Sequence, residues 1–213
     1  MKADLALLER WLTGWCLARG LPLPRHAGGA LVVDVGWPDQ LRRHVFADAG
    51  AALQECAAHI RTPNVFLKAA VDGDQLRRAL PARWHIGVPR FLMYQSVPSR
   101  EAVKVPAGYV AATSIEHGAY LIRLLDAGGQ TAAQGRVVLH QGCAVFDRIE
   151  THELHRRRGL ATAVMAALDL LARQAGASER LLVATEAGQA LYCSLGWREL
   201  SPYSTAVLRQ QHR

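Results

Sequence analysis

Apolar residues recur along the chain with two alternating periods. Leu5, Leu8, Leu12 and Trp15/Cys16 share one face at helical spacing, with Asp4 placed to cap and Gly20 to stop, so residues 4–19 predict a helix. Strands are expected at 31–35, 64–71 and 90–95, and helices at 49–60 and 75–80, before a linker at Val97-Pro98-Ser99. Residues 109–115, 120–125 and 132–140 read as strands separated by His117-Gly118 and Asp126-Ala127-Gly128-Gly129. After Gly142 a strand at 143–151 runs into the basic turn His155-Arg156-Arg157-Arg158-Gly159. A helix follows at 160–175, its apolar face carrying Leu160, Val164, Leu168 and Leu171, with Gly176 at its end. A buried strand at 181–185, a short helix at 188–195 and strands over 197–208 close the chain. Residues 64–86 faintly echo 180–200: apolar strand, Gly and Gln turn residues, short helix, then Trp.

Composition narrows this picture in three places. At 213 residues the chain suits one compact domain or two small lobes with a real core. Its apolar runs fall short of the roughly 18 residues of a membrane span, and Asp4, Glu9 and Arg10 break the stretch that a signal peptide needs. A cytoplasmic protein with no membrane partner is expected. Cys16, Cys56, Cys143 and Cys193 lie far apart without a CxxC pair, which argues against a zinc site and a disulfide scaffold. The formal charge of +7 favours an anionic partner, and composition does not separate nucleic acid from a phosphorylated cofactor.

The segment Ile149-Glu150-Thr151-His152-Glu153-Leu154-His155-Arg156-Arg157-Arg158-Gly159-Leu160-Ala161-Thr162 carries most of the chemistry. A strand enters a glycine-bearing turn and then a helix, whose first free N–H groups and dipole make an anion site. Gly159 permits close approach of a ligand to the backbone, and Ala161 keeps the helix start uncluttered. The physical reading is a diphosphate cradle. His152-Glu153-Leu154-His155 is one residue short of H-E-x-x-H and precedes the helix, so a metalloprotease reading fails and no metal is expected. Nucleic acid is disfavoured, because the three arginines lack interleaved aromatics and a recognised binding module.

Arg156-Arg157-Arg158-Gly159-Leu160-Ala161 resembles the Q/R-x-x-G-x-G/A signature of the GNAT superfamily of acyl-CoA N-acyltransferases, which wraps the pyrophosphate of acyl-CoA. Leu191-Tyr192-Cys193-Ser194-Leu195-Gly196-Trp197 resembles that family's later L-Y-x-x-x-G-F/W motif, in the expected order and separation. The resemblance implies an α/β (α+β) fold: a mixed, mostly antiparallel sheet flanked by helices over residues 98–213. Residues 1–97 would be an N-terminal lobe, a degenerate GNAT half if the repeat is real. It also implies acetyl-CoA as donor, an amine as acceptor, and a cofactor site at Ile149, Thr151, Arg156, Arg157, Arg158, Gly159, Leu160, Ala161, Thr162 and Thr185. Thr185 stands where many members carry Asn. A homodimer is compatible with all of this.

By the same resemblance Tyr192 sits near the thioester sulfur, where a phenol can protonate the departing thiolate. The amine must be neutral to attack, and Asp147 and Glu150 on the strand before the turn are the candidate bases, with Glu116 a third. Three residues apart on a regular strand, Asp147 and Glu150 point to opposite faces, so only one is expected in the cleft. Cys193, next along the helix from Tyr192, points about 100° away and is no nucleophile. One departure matters: the family places two helices between its first two strands, yet only a turn fits between Ile115 and Tyr120. Residues 1–97 are then expected to wall the acceptor side. A non-catalytic acyl-CoA sensor and an acetyltransferase of aminoacyl-tRNA are the alternative functions.

Overall fold

The computed structural model describes residues 3–97 and 104–208. Helix α1 (Leu5–Leu17) leads into strands β1 (Arg25–Ala27), β2 (Ala30–Trp37) and β3 (Gln40–Phe46) and helix α2 (Ala51–His59). Strand β4 (Val65–Ala69), helix α3 (Gly73–Ala79) and strands β5 (Trp84–Ile86) and β6 (Phe91–Gln95) follow. The second half holds β7 (Val110–Glu116), β8 (Ala119–Leu125), β9 (Thr131–His140), β10 (Cys143–Thr151), a 3-10 turn (Glu153–His155) and α4 (Leu160–Gln174). It ends with β11 (Glu179–Ala184), α5 (Glu186–Ser194), β12 (Arg198–Pro202) and β13 (Ser204–Leu208). Past Val97, the expected linker lies outside the described residues. Strand β3 went unread in the sequence because Arg42, Arg43 and His44 fill its middle, and Arg43 points inward, only 6% exposed.

Two mixed sheets form, ordered β1-β2-β3-β4-β13-β5 and β12-β6-β11-β10-β9-β8-β7. The expected class, a mixed and mostly antiparallel α/β fold flanked by helices, is the one observed. The sheets do not divide at residue 97. Strand β6 lies between β11 and β12, and the last strand, β13, lies between β4 and β5, antiparallel to its neighbours in both cases. Each half of the chain thus lends its final strand to the other half's sheet.

The faint sequence repeat corresponds to a repeat of topology. The order β3-α2-β4-α3-β5 matches β10-α4-β11-α5-β12, and in each the first two strands pair in parallel. The halves differ at those parallel pairs. Strands β3 and β4 stay in register to their last residues, Phe46 and Ala69, so no gap opens between them. Strands β10 and β11 pair only from Cys143↔Glu179 to Val145↔Leu181 and then part.

Helix α1 joins the sheets. Leu7, Leu8, Leu12 and Cys16 are at most 1% exposed, packed in one cluster with Leu31, Val33 and Val45 of the first sheet and Cys143, Val145 and Leu181 of the second. Gly14 makes this approach possible, since a Cβ there would lie 2.4 Å from Val145 Cγ2. On the opposite face of the second sheet, α4 settles over β9 at Gly135, whose missing Cβ leaves room for Ile149 and Val164. The β7–β8 hairpin turns through His117 and Gly118, both at positive φ, as a two-residue turn requires. The end of α1 abuts that turn, with Gly20 against the His117 ring.

Gly14→Val should therefore force α1 off β10 and lower unfolding stability by about 1–3 kcal/mol, the usual cost of overpacking a core. Urea titrations followed by far-UV circular dichroism and tryptophan fluorescence measure this. Both probes should shift together, because one helix serves both sheets; an unchanged midpoint would show that the seam yields freely.

Candidate active site

Where β10 and β11 part, a cleft of about 1000 Å³ opens, floored by both strands and closed at its sides by the N-termini of α4 and α5. The separation follows from local features on each strand. Asp169 of α4 pairs with the fully buried Arg180 at 2.5 Å, anchoring the start of β11. Strand β10 bulges between Asp147 and Glu150, with Arg148 at φ +50 taking the extra position. Phe146 and Leu182 belong to the core beneath α4, whereas Val183 packs in the cluster around α1, and all three line the cleft. The gap therefore passes through the sheet.

The bulge corrects one expectation. Asp147 lies opposite Arg136 and Glu150 opposite Gln134, two residues apart on β9, so the two carboxylates share a face. Both line the cleft. A residue inserted into the strand restores the phase that a spacing of three would otherwise reverse. Glu116 is not near this site; it pairs with Arg123 at 2.7 Å on the β7–β8 hairpin.

Between β10 and α4 the basic turn presents its backbone. Gly159 is the N-cap of α4 at φ +75, Arg157 stands at φ +62, and no side chain caps the helix. The free N–H groups at its start thus face the cleft, lined here by Arg156, Arg157, Gly159, Leu160, Ala161 and Thr162. Ile149, Thr151 and Thr185 also line it. Thr185 is committed locally, since its hydroxyl accepts from Gly188 N at 3.0 Å and caps α5. Arg158 turns away from the cleft to donate to the Tyr109 hydroxyl at 3.1 Å. That hydroxyl also bonds His155 Nδ1 at 2.9 Å, and His155 Nε2 lies 3.6 Å from Asp126, so the turn is tethered at its back. Nothing in the spacing of the basic turn pointed to Tyr109.

Tyr192 sits on α5 at the edge of the cleft, 7% exposed, its ring 6.2 Å from Trp197. Gly188, one turn earlier, leaves room for that ring, since a Cβ there would come within 3.1 Å of it. Burial, and then the negative charge of Asp147, push the Tyr192 phenol well above its ordinary range, so it stays protonated at neutral pH. Cys193 is exposed and does not line the cleft. Among the described residues, no group of three His, Cys, Asp or Glu side chains could hold a metal ion.

Asp147 is held by two arginines. Arg19, just past α1, reaches it at 2.8 Å, and Arg136 on β9 at 2.7 Å. Burial alone would raise this carboxyl, but the two guanidinium groups outweigh it and hold it below the ordinary carboxylate range. A carboxyl depressed in the folded state stabilises the protein above its unfolded pKa, and this is lost as pH falls through the folded value. Asp147→Asn should therefore lower stability at neutral pH by about 3–5 kcal/mol, the cost of leaving buried partners unpaired. It should also flatten the acid limb of the stability profile below about pH 4. Thermal melts of both proteins between pH 7 and pH 2 check this; parallel profiles would remove Asp147 as the linchpin of the acid limb.

Comparison with known proteins agrees with this geometry. The chain is similar to a GCN5-related N-acetyltransferase from Kribbella flavida, at TM-score 0.63 and 17% identity, covering 98% of this chain and 96% of that one. It is similar to a GCN5-related N-acetyltransferase-like protein from Streptococcus suis, at TM-score 0.60 and 13% identity over 96% of this chain and 98% of the other. A tandem GNAT protein from the clavulanic acid biosynthesis pathway aligns at TM-score 0.54 and 18% identity, covering 76% of this chain and 69% of its own. At these identities the likeness concerns the fold. A search of curated proteins finds no significant match. The profile of the acetyltransferase (GNAT) family matches residues 85–197, from β5 to the Trp that follows α5, and on that match the chain belongs to the GNAT acetyltransferase family.

Proposed function

We propose that the chain transfers an acetyl group from acetyl-CoA to a primary amine by direct attack in a ternary complex. The observation that carries this reading is one continuous cleft lined both by the uncapped start of α4 and by Tyr192. The diphosphate of the cofactor would meet the N–H groups of residues 160–162, with Arg156 and Arg157 neutralising its charge. The pantetheine would run between β10 and β11, where β10 beyond Val145 keeps its pairing with β9 but has no β11 partner, which leaves the backbone groups on that side to bond. A backbone N–H between Ile149 and Thr151 would polarise the thioester carbonyl.

The chemistry then balances with few groups. A neutral amine attacks the carbonyl carbon, the C–S bond breaks, the nitrogen loses a proton and the sulfur gains one. Tyr192, protonated through the neutral range, has a proton to give to the developing thiolate, and the proton that Glu150 takes from nitrogen returns to the phenol through solvent. Asp147 is an unsuitable base, because a carboxyl held down by two arginines has little proton affinity near neutrality. Glu150, exposed and bonded to Gln134 at 3.1 Å, is the better acceptor for the amine proton. Residues 1–97 would wall the acceptor side as a degenerate GNAT half. Likeness to a tandem GNAT protein supports this, as does α1 beneath the short β7–β8 turn. That half would bind no CoA, since β3 and β4 stay closed and the Asp48 carboxylate accepts from Gly50 N, 2.8 Å away, at the start of α2.

Gly159→Val should cost about 1–2 kcal/mol in backbone strain at this left-handed position and abolish the rise in melting temperature that acetyl-CoA causes in the parent. Undiminished stabilisation by acetyl-CoA would move the cradle elsewhere. Tyr192→Phe should keep acetyl-CoA binding and lower turnover by on the order of 10²–10⁴, as expected for removal of a general acid. Release of free thiol across an amine panel reads this out, and binding without any turnover in the parent would make the chain an acyl-CoA sensor.

A further inference from the structure

A group of cations lies on the α1 side of the cleft, and the proposed acetyl transfer leaves it unused. Asp147 marks the boundary: it lines the cleft and reaches through to Arg19. Beyond it the Trp15 ring lies against two guanidinium groups, Arg19 at 4.2 Å and Arg43 at 3.7 Å from its centroid. Lys68, opposite Val45 on the neighbouring strand β4, has its ammonium nitrogen 5.7 Å from the centre of the Tyr203 ring. Arg43 bonds Gln40, a neutral amide, at 3.3 Å, and Lys68 bonds the Thr205 hydroxyl at 2.7 Å. Among the described residues neither has a carboxylate partner, whereas Arg19 and Arg136 share Asp147.

Such an arrangement is costly in a free protein. Burial, and then neighbouring arginines, depress Lys68 far below the ordinary lysine range, and burial brings Arg43 down to about 10. Tyr203 adds a second, independent sign: its hydroxyl is buried and unpartnered while the residue is only 1% exposed. Lys68 itself is only partly buried and so keeps access to solvent. Buried charges and orphaned donors in native proteins are ordinarily paired. An anion entering here would pair with both cations and could accept from the hydroxyl at once.

We propose that the seam between the two sheets, lined by Arg43, Lys68 and Tyr203, is a subsite for an acidic group carried by the acceptor. The substrate class becomes a primary amine bearing a carboxylate or a phosphate, with its amine directed past Asp147 toward Tyr192. The inference rests on the acetyl-transfer reading and deepens it. Asp147 gives the geometry its sense of direction. It lines the cleft and holds Arg19, Arg19 lies on the Trp15 ring and Arg43 lies on the same ring, so the seam lies beyond Asp147 as seen from the cleft.

The test uses the full chain saturated with CoA, so that added anions cannot occupy the diphosphate cradle. Succinate and inorganic phosphate are titrated while the melting temperature is followed, for the parent, Lys68→Met and Tyr203→Phe. At least one anion should stabilise the parent saturably, the better one naming carboxylate or phosphate. That stabilisation should weaken at least tenfold in apparent affinity in Lys68→Met and to a smaller degree in Tyr203→Phe. Without any anion, Lys68→Met should melt higher than the parent, because an ammonium without a carboxylate partner has been removed from a partly buried position. In turnover, aspartate, glutamate and phosphoethanolamine are set against asparagine, glutamine and ethanolamine. An acidic member should exceed its neutral counterpart at least tenfold in kcat/KM, and Lys68→Met should erase that ratio. Equal stabilisation of parent and Lys68→Met, no stabilisation by either anion, a lower melting temperature for Lys68→Met, or a preference for the neutral amines would each overturn the proposal. CoA binding to the parent, measured in the same experiments, separates that failure from failure of the acetyl-transfer reading.

Discussion

Helix α1 carries a broad apolar face, from Leu7 and Leu8 to Trp11, Trp15 and Cys16, and in water such a surface gives a short helix no stability of its own. It forms because two sheets enclose it, and neither sheet could cover its inner face without it. Gly14 brings its backbone against Val145, at the point where β10 leaves β11. The helix therefore braces the strand whose departure creates the cleft. Just past its C-terminal end Arg19 extends to Asp147, so the packing that closes the core also sets the charge next to the cleft.

Exchange of the final strands reinforces this arrangement. Strand β6 completes the second sheet and β13 the first, so removing either half strips a paired strand from the other. A GNAT domain standing alone uses helices between its first two strands to wall the acceptor side. Here β7 and β8 are joined by His117 and Gly118 alone, and the other half of the molecule is the wall proposed above. The two halves diverge at their parallel pairs: β3 and β4 remain zipped, while β10 and β11 open after three residue pairs.

Within the cleft, position and not residue type separates the carboxylates. Asp147 is pinned between Arg19 and Arg136 and serves as an electrostatic pivot between Tyr192 and the cations of the seam. Glu150, on the same face because of the bulge at Arg148, remains accessible in the cleft. The arginines of the basic turn divide in a similar way. Arg156 and Arg157 line the cleft, while Arg158 ties the turn to Tyr109.

Much of this was legible in the sequence, because local periodicity and capping act over a few residues. The helices at α1, α2 and α4, the strands from β7 to β11 and the glycine turn before α4 all follow from spacing and from Asp4, Gly142, Gly159 and Gly176. The basic turn and Tyr192, carried by two short motifs in fixed order, line one cleft. What escaped depends on contacts between distant segments. Strand β3 was hidden by Arg43, a charge that faces inward only because Trp15 lies ready to stack on it. The shared face of Asp147 and Glu150 depends on a bulge, which strand periodicity does not announce. The partners Arg19 and Arg136, the exchange of β6 and β13 and the cationic seam join residues more than ten positions apart. The sequence by itself determined most of the elements and the place of the basic turn at a helix start. Only the tertiary structure decided which strand pair would open and which charges would meet beside it, because both depend on how α1 is packed between the sheets.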